Sequence, residues 1–110
     1  MNQMLVRPPC GAPVPWTLLL VANRVLGPGM RRVSLVGDDL EGMVFRVGQR
    51  LLVNLPVEAG GDLSRPCRIA GFDREELRLD LDLAVSDGTP EAHWVSSARI
   101  GDIVVAAPAP

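Results

Sequence analysis

Few residues in this sequence could carry chemistry by themselves, and their spacing narrows the choice further. The chain holds a single His, His93, two Cys, Cys10 and Cys67, and no Tyr. His93 is the one side chain whose ordinary pKa lies near neutrality, which makes it the candidate proton shuttle. It stands beside Trp94 in a stretch of helical character, where a solvated surface histidine is the alternative. Cys67 is a candidate nucleophile, but no base is assigned next to it, and a buried, inert thiol is the alternative. Asp80 and Asp82 lie two apart in a strand pattern, so both carboxylates share one face and could form an acid/base pair. Their alternation with Leu79, Leu81 and Leu83 also describes the solvated outer face of a half-buried strand. One His and two Cys offer too little for a zinc cluster, a His-based relay or a disulfide framework.

The charge balance excludes further classes. Eleven basic residues, all Arg, face thirteen acidic ones for a net charge of −2. No basic run exceeds Arg31-Arg32, so a stripe that tracks phosphates is not expected, nor is a nucleic-acid partner. No apolar run approaches the ~20 residues of a membrane-spanning helix. Leu18 to Ala22 is apolar, yet it follows Pro13, Pro15 and Trp16 and runs into Asn23-Arg24. It has neither a basic flank nor a small-x-small cleavage site, and it reads as a strand rather than a signal peptide. With Cys10 and Cys67 taken as free thiols of a reducing compartment, a cytoplasmic location is expected.

A chain of 110 residues, 47% of them hydrophobic, suits one globular domain. Residues 1–15 carry prolines at 8, 9, 13 and 15 and read as an irregular lead-in. The domain proper is expected over 16–108. Trp16 to Leu26 reads as a strand ending at Gly27-Pro28-Gly29. Met30 to Gly37 alternates, with Arg32 and Ser34 on one face and Val33 and Leu35 on the other. Asp38 to Gly42 reads as a turn that Asp38 or Asp39 could cap. Strands are expected over Gln49 to Val57, Arg65 to Phe72, Leu77 to Leu83 and Ile103 to Ala106. Glu58 to Ser64 is expected to be a flexible loop and Asp73 to Glu76 a polar hairpin turn. Pro90 to Ala98 is the one good helix candidate, with Thr89 as N-cap, Pro90 at N1 and Glu91 in the first turn. The whole predicts an all-β, six-stranded antiparallel barrel with one short helix near the C-terminus, since closure removes exposed edges.

One segment is more specific than a generic strand. Met30-Arg31-Arg32-Val33-Ser34-Leu35-Val36-Gly37-Asp38-Asp39-Leu40-Glu41-Gly42-Met43 resembles the opening of the flavin-binding domain of siderophore-interacting proteins, with its "(M)RRVTL-G-DL-GF" pattern. Other pieces follow in the family's order. Gln49 to Pro56 resembles its third strand, and Arg65 to Asp73 its Arg-x-Tyr-(Ser/Thr) strand. Leu77 to Leu83 is similar to "ELDIDFVLHG", Gly88 to Trp94 to "GPASxW", and Ala98 to Asp102 to "A-x-x-GD". The resemblance covers about residues 16–108 and implies a Greek-key barrel of the ferredoxin-reductase type.

In that family the barrel holds FAD, and a second, nucleotide-binding domain delivers a hydride to it. Here that domain would begin near Ala107 to Pro110, and no G-x-G-x-x-G element is present. This stretch alone is therefore not expected to be a complete NAD(P)H-dependent reductase. The resemblance places Arg65 where the family pairs with a phosphate, with a solvated edge arginine as the alternative. It places Cys67 where the family has the Tyr that packs on the flavin. Arg68 stands in place of the Ser/Thr that would hydrogen-bond the flavin ring, with a surface cation as the alternative. Ala84-Val85 replaces the family's His-Gly. Glu91 falls at the helix N-terminus that should receive the pyrophosphate, where a carboxylate competes with and repels it. Trp94 is expected to anchor the helix to the barrel.

Arg65, Cys67, Arg68, Glu91, His93 and Trp94 are thus the candidate ligand- or cofactor-binding residues; no metal site is expected. The favoured reading is a stand-alone barrel, derived from a flavin domain, that binds a small molecule in or at the barrel without a cofactor. If catalytic, it would act by positioning its substrate, as in a cyclisation or rearrangement. The alternatives are an FAD-binding reductase component fed by a separate electron donor, and a non-catalytic partner-binding module. The last could be a homodimer joined through an apolar face such as Leu18 to Val21.

Overall fold

Alternation of apolar and polar residues shapes this chain, because a strand shows successive side chains to opposite faces and only one face can be buried. The computed structural model describes residues 15–56 and 60–109. The strands are β1 (Trp16–Gly27), β2 (Met30–Val36), β3 (Arg50–Pro56), β4 (Asp62–Asp73), β5 (Arg78–Ala84) and β6 (Ile103–Pro108). One helix, α1 (Pro90–Ser97), joins β5 to β6. Every pairing is antiparallel, and the strands close into a barrel in the order β1-β2-β5-β4-β3-β6. β3, β4 and β5 run as a meander while β2 lies beside β5, which is a Greek key.

The interior is filled. Leu18 and Leu20 of β1, Leu51 and Leu55 of β3, and Leu79 and Leu81 of β5 are fully buried, each contributing roughly 1.5–3 kcal/mol over an exposed position. At one end Phe45 stands edge-on between Trp16 and Phe72, with ring centroids 5.5 and 4.9 Å away. Towards the other end α1 lies over the barrel, where Asn23 Nδ2 donates to the Val95 carbonyl at 3.0 Å. Trp94 and Val95 are buried beneath it. As expected, Thr89 caps the helix: its hydroxyl accepts from the Ala92 amide at 3.2 Å.

Several expectations are corrected. Of the loop expected over 58–64, Glu58 and Ala59 lie outside the described residues, and Asp62 to Ser64 are strand, paired with β3 in the register Asn54–Ser64 and Pro56–Asp62. A hydrogen bond of 2.8 Å from Ser64 Oγ to Asn54 Oδ1 supports that extension. Polar composition suggested a loop, but pairing satisfies the backbone equally well. Neither Asp38 nor Asp39 caps the short 3-10 turn Asp38–Leu40; Asp39 instead accepts from the Thr17 amide at 2.9 Å. Ser34, on the same face as Arg32, is buried, and its hydroxyl donates to Asp80 Oδ1 at 2.6 Å. β5 starts at Arg78, since Leu77 is turned into the left-handed region at φ 53°. Within Leu18 to Val21, Leu18 and Leu20 point inward and Leu19 and Val21 are exposed, with Ile103 opposite Leu19. Cys10 and the lead-in at 1–14 lie outside the described residues. Among the described residues, no helix is long and apolar enough to cross a membrane.

Gly37 is required by close approach. A Cβ there would lie 2.7 Å from Leu18 Cδ2 and 3.0 Å from the Thr17 carbonyl oxygen. Gly37→Ala is expected to cost about 1–3 kcal/mol by overpacking, read as a lower urea midpoint at unchanged m-value.

Candidate functional site: a cleft where two strands part

β4 and β5 are paired only from Arg68–Asp82 to Asp73–Arg78. Beyond that point β4 continues on β3 and β5 continues on β2, so the two strands separate. Pro66 lies in the part of β4 that has left β5, where it withholds no N–H from a ladder with that strand. The gap is a cleft of about 450 Å³. Its apolar wall comes from Met30, Pro66, Cys67, Leu83 and Ala84, and its polar groups are Arg50, Arg68 and Asp82. That combination of apolar lining and few polar groups is typical of small-ligand sites.

Asp82 is engaged: its two oxygens accept from Arg32 Nε at 2.7 Å and Nη2 at 3.0 Å. With Asp80 holding Ser34, the two carboxylates have separate partners and form no acid/base pair. Cys67 is buried, and its Sγ lies 3.9 Å from the Arg65 carbonyl. Burial pushes the Cys67 thiol up to about 12; the nearby Glu91 carboxylate adds to the shift and Arg65 opposes it. At neutral pH it is therefore a protonated thiol and not an activated nucleophile.

Arg65 and Glu91 meet beside the cleft. Arg65 Nε donates to Glu91 Oε2 at 2.6 Å, and the Glu91 side chain is only 11% exposed. Arg65, which the resemblance sets at a phosphate, and the carboxylate in the first turn of α1 thus neutralise each other. Of the sequence candidates, Cys67 and Arg68 line the cleft and Arg65 and Glu91 flank it as a pair. Trp94 is core, 3% exposed, and His93 is exposed, with no side-chain hydrogen bond among the described residues. Sequence reasoning missed Arg50 and Met30 and left Asp82 outside the site. Arg50 could have been found only through its register with Arg68.

No protein-family model and no curated protein matches this sequence. Solved structures do. A siderophore-interacting protein from Aeromonas hydrophila matches over 87% of this chain at TM-score 0.70 and 23% identity, the chain spanning 43% of that protein. A siderophore utilization protein from T. fusca matches over 86% at TM-score 0.73 and 23% identity, with 44% of its length spanned. A ferredoxin NADP+ reductase from Neisseria gonorrhoeae, with bound FAD and NADP, matches over 84% at TM-score 0.66 and 11% identity, with 36% spanned. The chain spans less than half the length of each of these proteins, and its fold is the barrel of siderophore-interacting proteins and ferredoxin-NADP reductases.

Proposed function

We propose that this barrel binds a small molecule in the cleft between β4 and β5 and does not hold FAD in the manner the family resemblance implies. The observation that carries this reading is the Arg65–Glu91 ion pair at 2.6 Å. A pyrophosphate at the amino end of α1 would have to displace a nearly buried carboxylate from its arginine and then lie against it. Cys67, buried where a stacking Tyr would stand, offers no ring, and Arg68 sets a large permanent cation where a hydroxyl would meet the flavin. Catalysis here would rest on positioning, as in a cyclisation or rearrangement, since Asp82 is held by Arg32 and the Cys67 thiol stays protonated.

The second reading, an FAD-binding component with a separate electron donor, draws on the bound FAD of the Neisseria gonorrhoeae structure. It also draws on the retained Arg65 beside the Thr89-capped end of α1. Titration with FAD, followed by flavin fluorescence, separates the two. The wild-type chain is expected to leave the fluorescence unchanged. Glu91→Gln, which releases Arg65 and removes the adverse charge, is expected to strengthen FAD binding by about tenfold or more, the scale of one charge-assisted hydrogen bond. Stoichiometric, tight FAD binding by the wild type would overturn the first reading and establish the second.

A further inference from the structure

The strand register draws five charged residues of the outer surface into one row. Arg24 of β1 pairs with Arg32 of β2, and Arg32 with Asp82 of β5. Asp82 pairs with Arg68 of β4, and Arg68 with Arg50 of β3. Residues directly opposite each other in antiparallel strands share a face, so four arginines and one aspartate form a continuous belt. The aspartate is spent on Arg32 through two hydrogen bonds. Arg50 and Arg68 are exposed, stand directly opposite each other, and form no ion pair among the described residues.

Like charges set opposite each other in a sheet oppose folding. This protein has more acidic than basic residues, so the juxtaposition does not follow from an excess of cations. Both guanidinium groups border the cleft whose remaining wall is Met30, Pro66, Cys67, Leu83, Ala84 and the Asp82 carboxylate, whose charge Arg32 neutralises. Two planar cations at the rim of an apolar slot are complementary to a flat apolar body that carries one carboxylate, which Arg binds through paired N–H donors.

We infer that the cleft is a receptor for a compact apolar carboxylic acid, its anionic group held between Arg50 and Arg68 and its body laid against the exposed Pro66, Met30 and Ala84. This rests on the reading of the cleft as the ligand site and adds the chemical class of the ligand. Neither Arg65 nor Glu91 lines this cleft, so the site does not need the phosphate position that Glu91 occupies.

The probes are 2-naphthoate and its uncharged counterpart 2-naphthamide, titrated into the isotopically labelled full chain and followed by backbone amide shifts. 2-Naphthoate is expected to move the amides of Arg50, Cys67, Arg68 and Leu83, and to bind about tenfold or more tightly than 2-naphthamide. The double variant Arg50→Gln, Arg68→Gln is expected to bring the two affinities together. Because the pair is exposed and mutually repulsive, that variant should be at least as stable to urea as the wild type, which keeps a loss of binding separate from a loss of fold. Equal binding of both probes in the wild-type cleft would overturn the carboxylate assignment while supporting the ligand site. Shifts centred elsewhere, or no shift with either probe, would overturn both.

Discussion

Trp94→Ala is expected to lower stability by about 3–5 kcal/mol, the range for removing a buried aromatic side chain. Trp94 is 3% exposed in an eight-residue helix, and most of the helix's exposed side chains are small or polar. So short a helix is not stable alone, and its order comes from the face it buries. Without the indole, Val95 and the Asn23 contact to its carbonyl are the remaining apolar and polar ties described at that end. The check is urea denaturation with His93→Ala as a neighbouring control, expected within about 0.5 kcal/mol of wild type because His93 is solvated. A comparable loss in both variants would show that the helix is held by something other than Trp94. Loosening α1 also loosens Glu91, so the Trp94 variant should show stronger FAD binding than wild type at temperatures where it remains folded.

Alkaline destabilisation through Cys67 is the second large effect, about 2 kcal/mol at pH 10.5 by linkage. The folded thiol is raised from 9.0 to about 12. A group raised on folding contributes stability that is complete below its unfolded pKa and is lost as pH rises through the folded value. Stability should therefore hold to about pH 8.5 and fall progressively as pH approaches 12. The composition makes this unusually easy to read. The sequence has no Tyr, and all of its basic residues other than His93 are Arg, so its thiols are the only side chains that titrate in that window. Urea midpoints of wild type and Cys67→Ala at pH 8 and pH 10.5 test it, the variant having a flatter profile. Parallel slopes in the two proteins would contradict the assignment to Cys67.

Much of the fold could be read from the residues because local patterns decided it. The alternation of Leu79, Leu81 and Leu83 with Asp80 and Asp82 fixes which face of β5 is buried. Thr89-Pro90-Glu91 marks the helix start because capping and the fixed φ of proline act within one turn. The expected loop at 58–64 was too long by Asp62 to Ser64, since those residues gain their strand only by pairing with Asn54 to Pro56. The burial of Ser34 was not legible for a similar reason: the carboxylate that its hydroxyl meets belongs to β5.

The site divides the same way. The residue types at Cys67, Arg68 and Glu91 depart from the family pattern at positions that the resemblance assigns to the flavin, and that follows from the sequence set beside that pattern. The ion pair between Arg65 and Glu91, the row that sets Arg50 against Arg68, and the opening of β4 from β5 are all products of closure. Periodicity along one strand specifies the face a side chain takes. It does not specify which residue of a distant strand stands opposite, because register is set by the closed ladder and the packed core together. The sequence alone thus determined a six-stranded barrel poor in catalytic groups, and only the tertiary structure decided that Arg65 is neutralised by Glu91 while Arg50 and Arg68 border an open cleft.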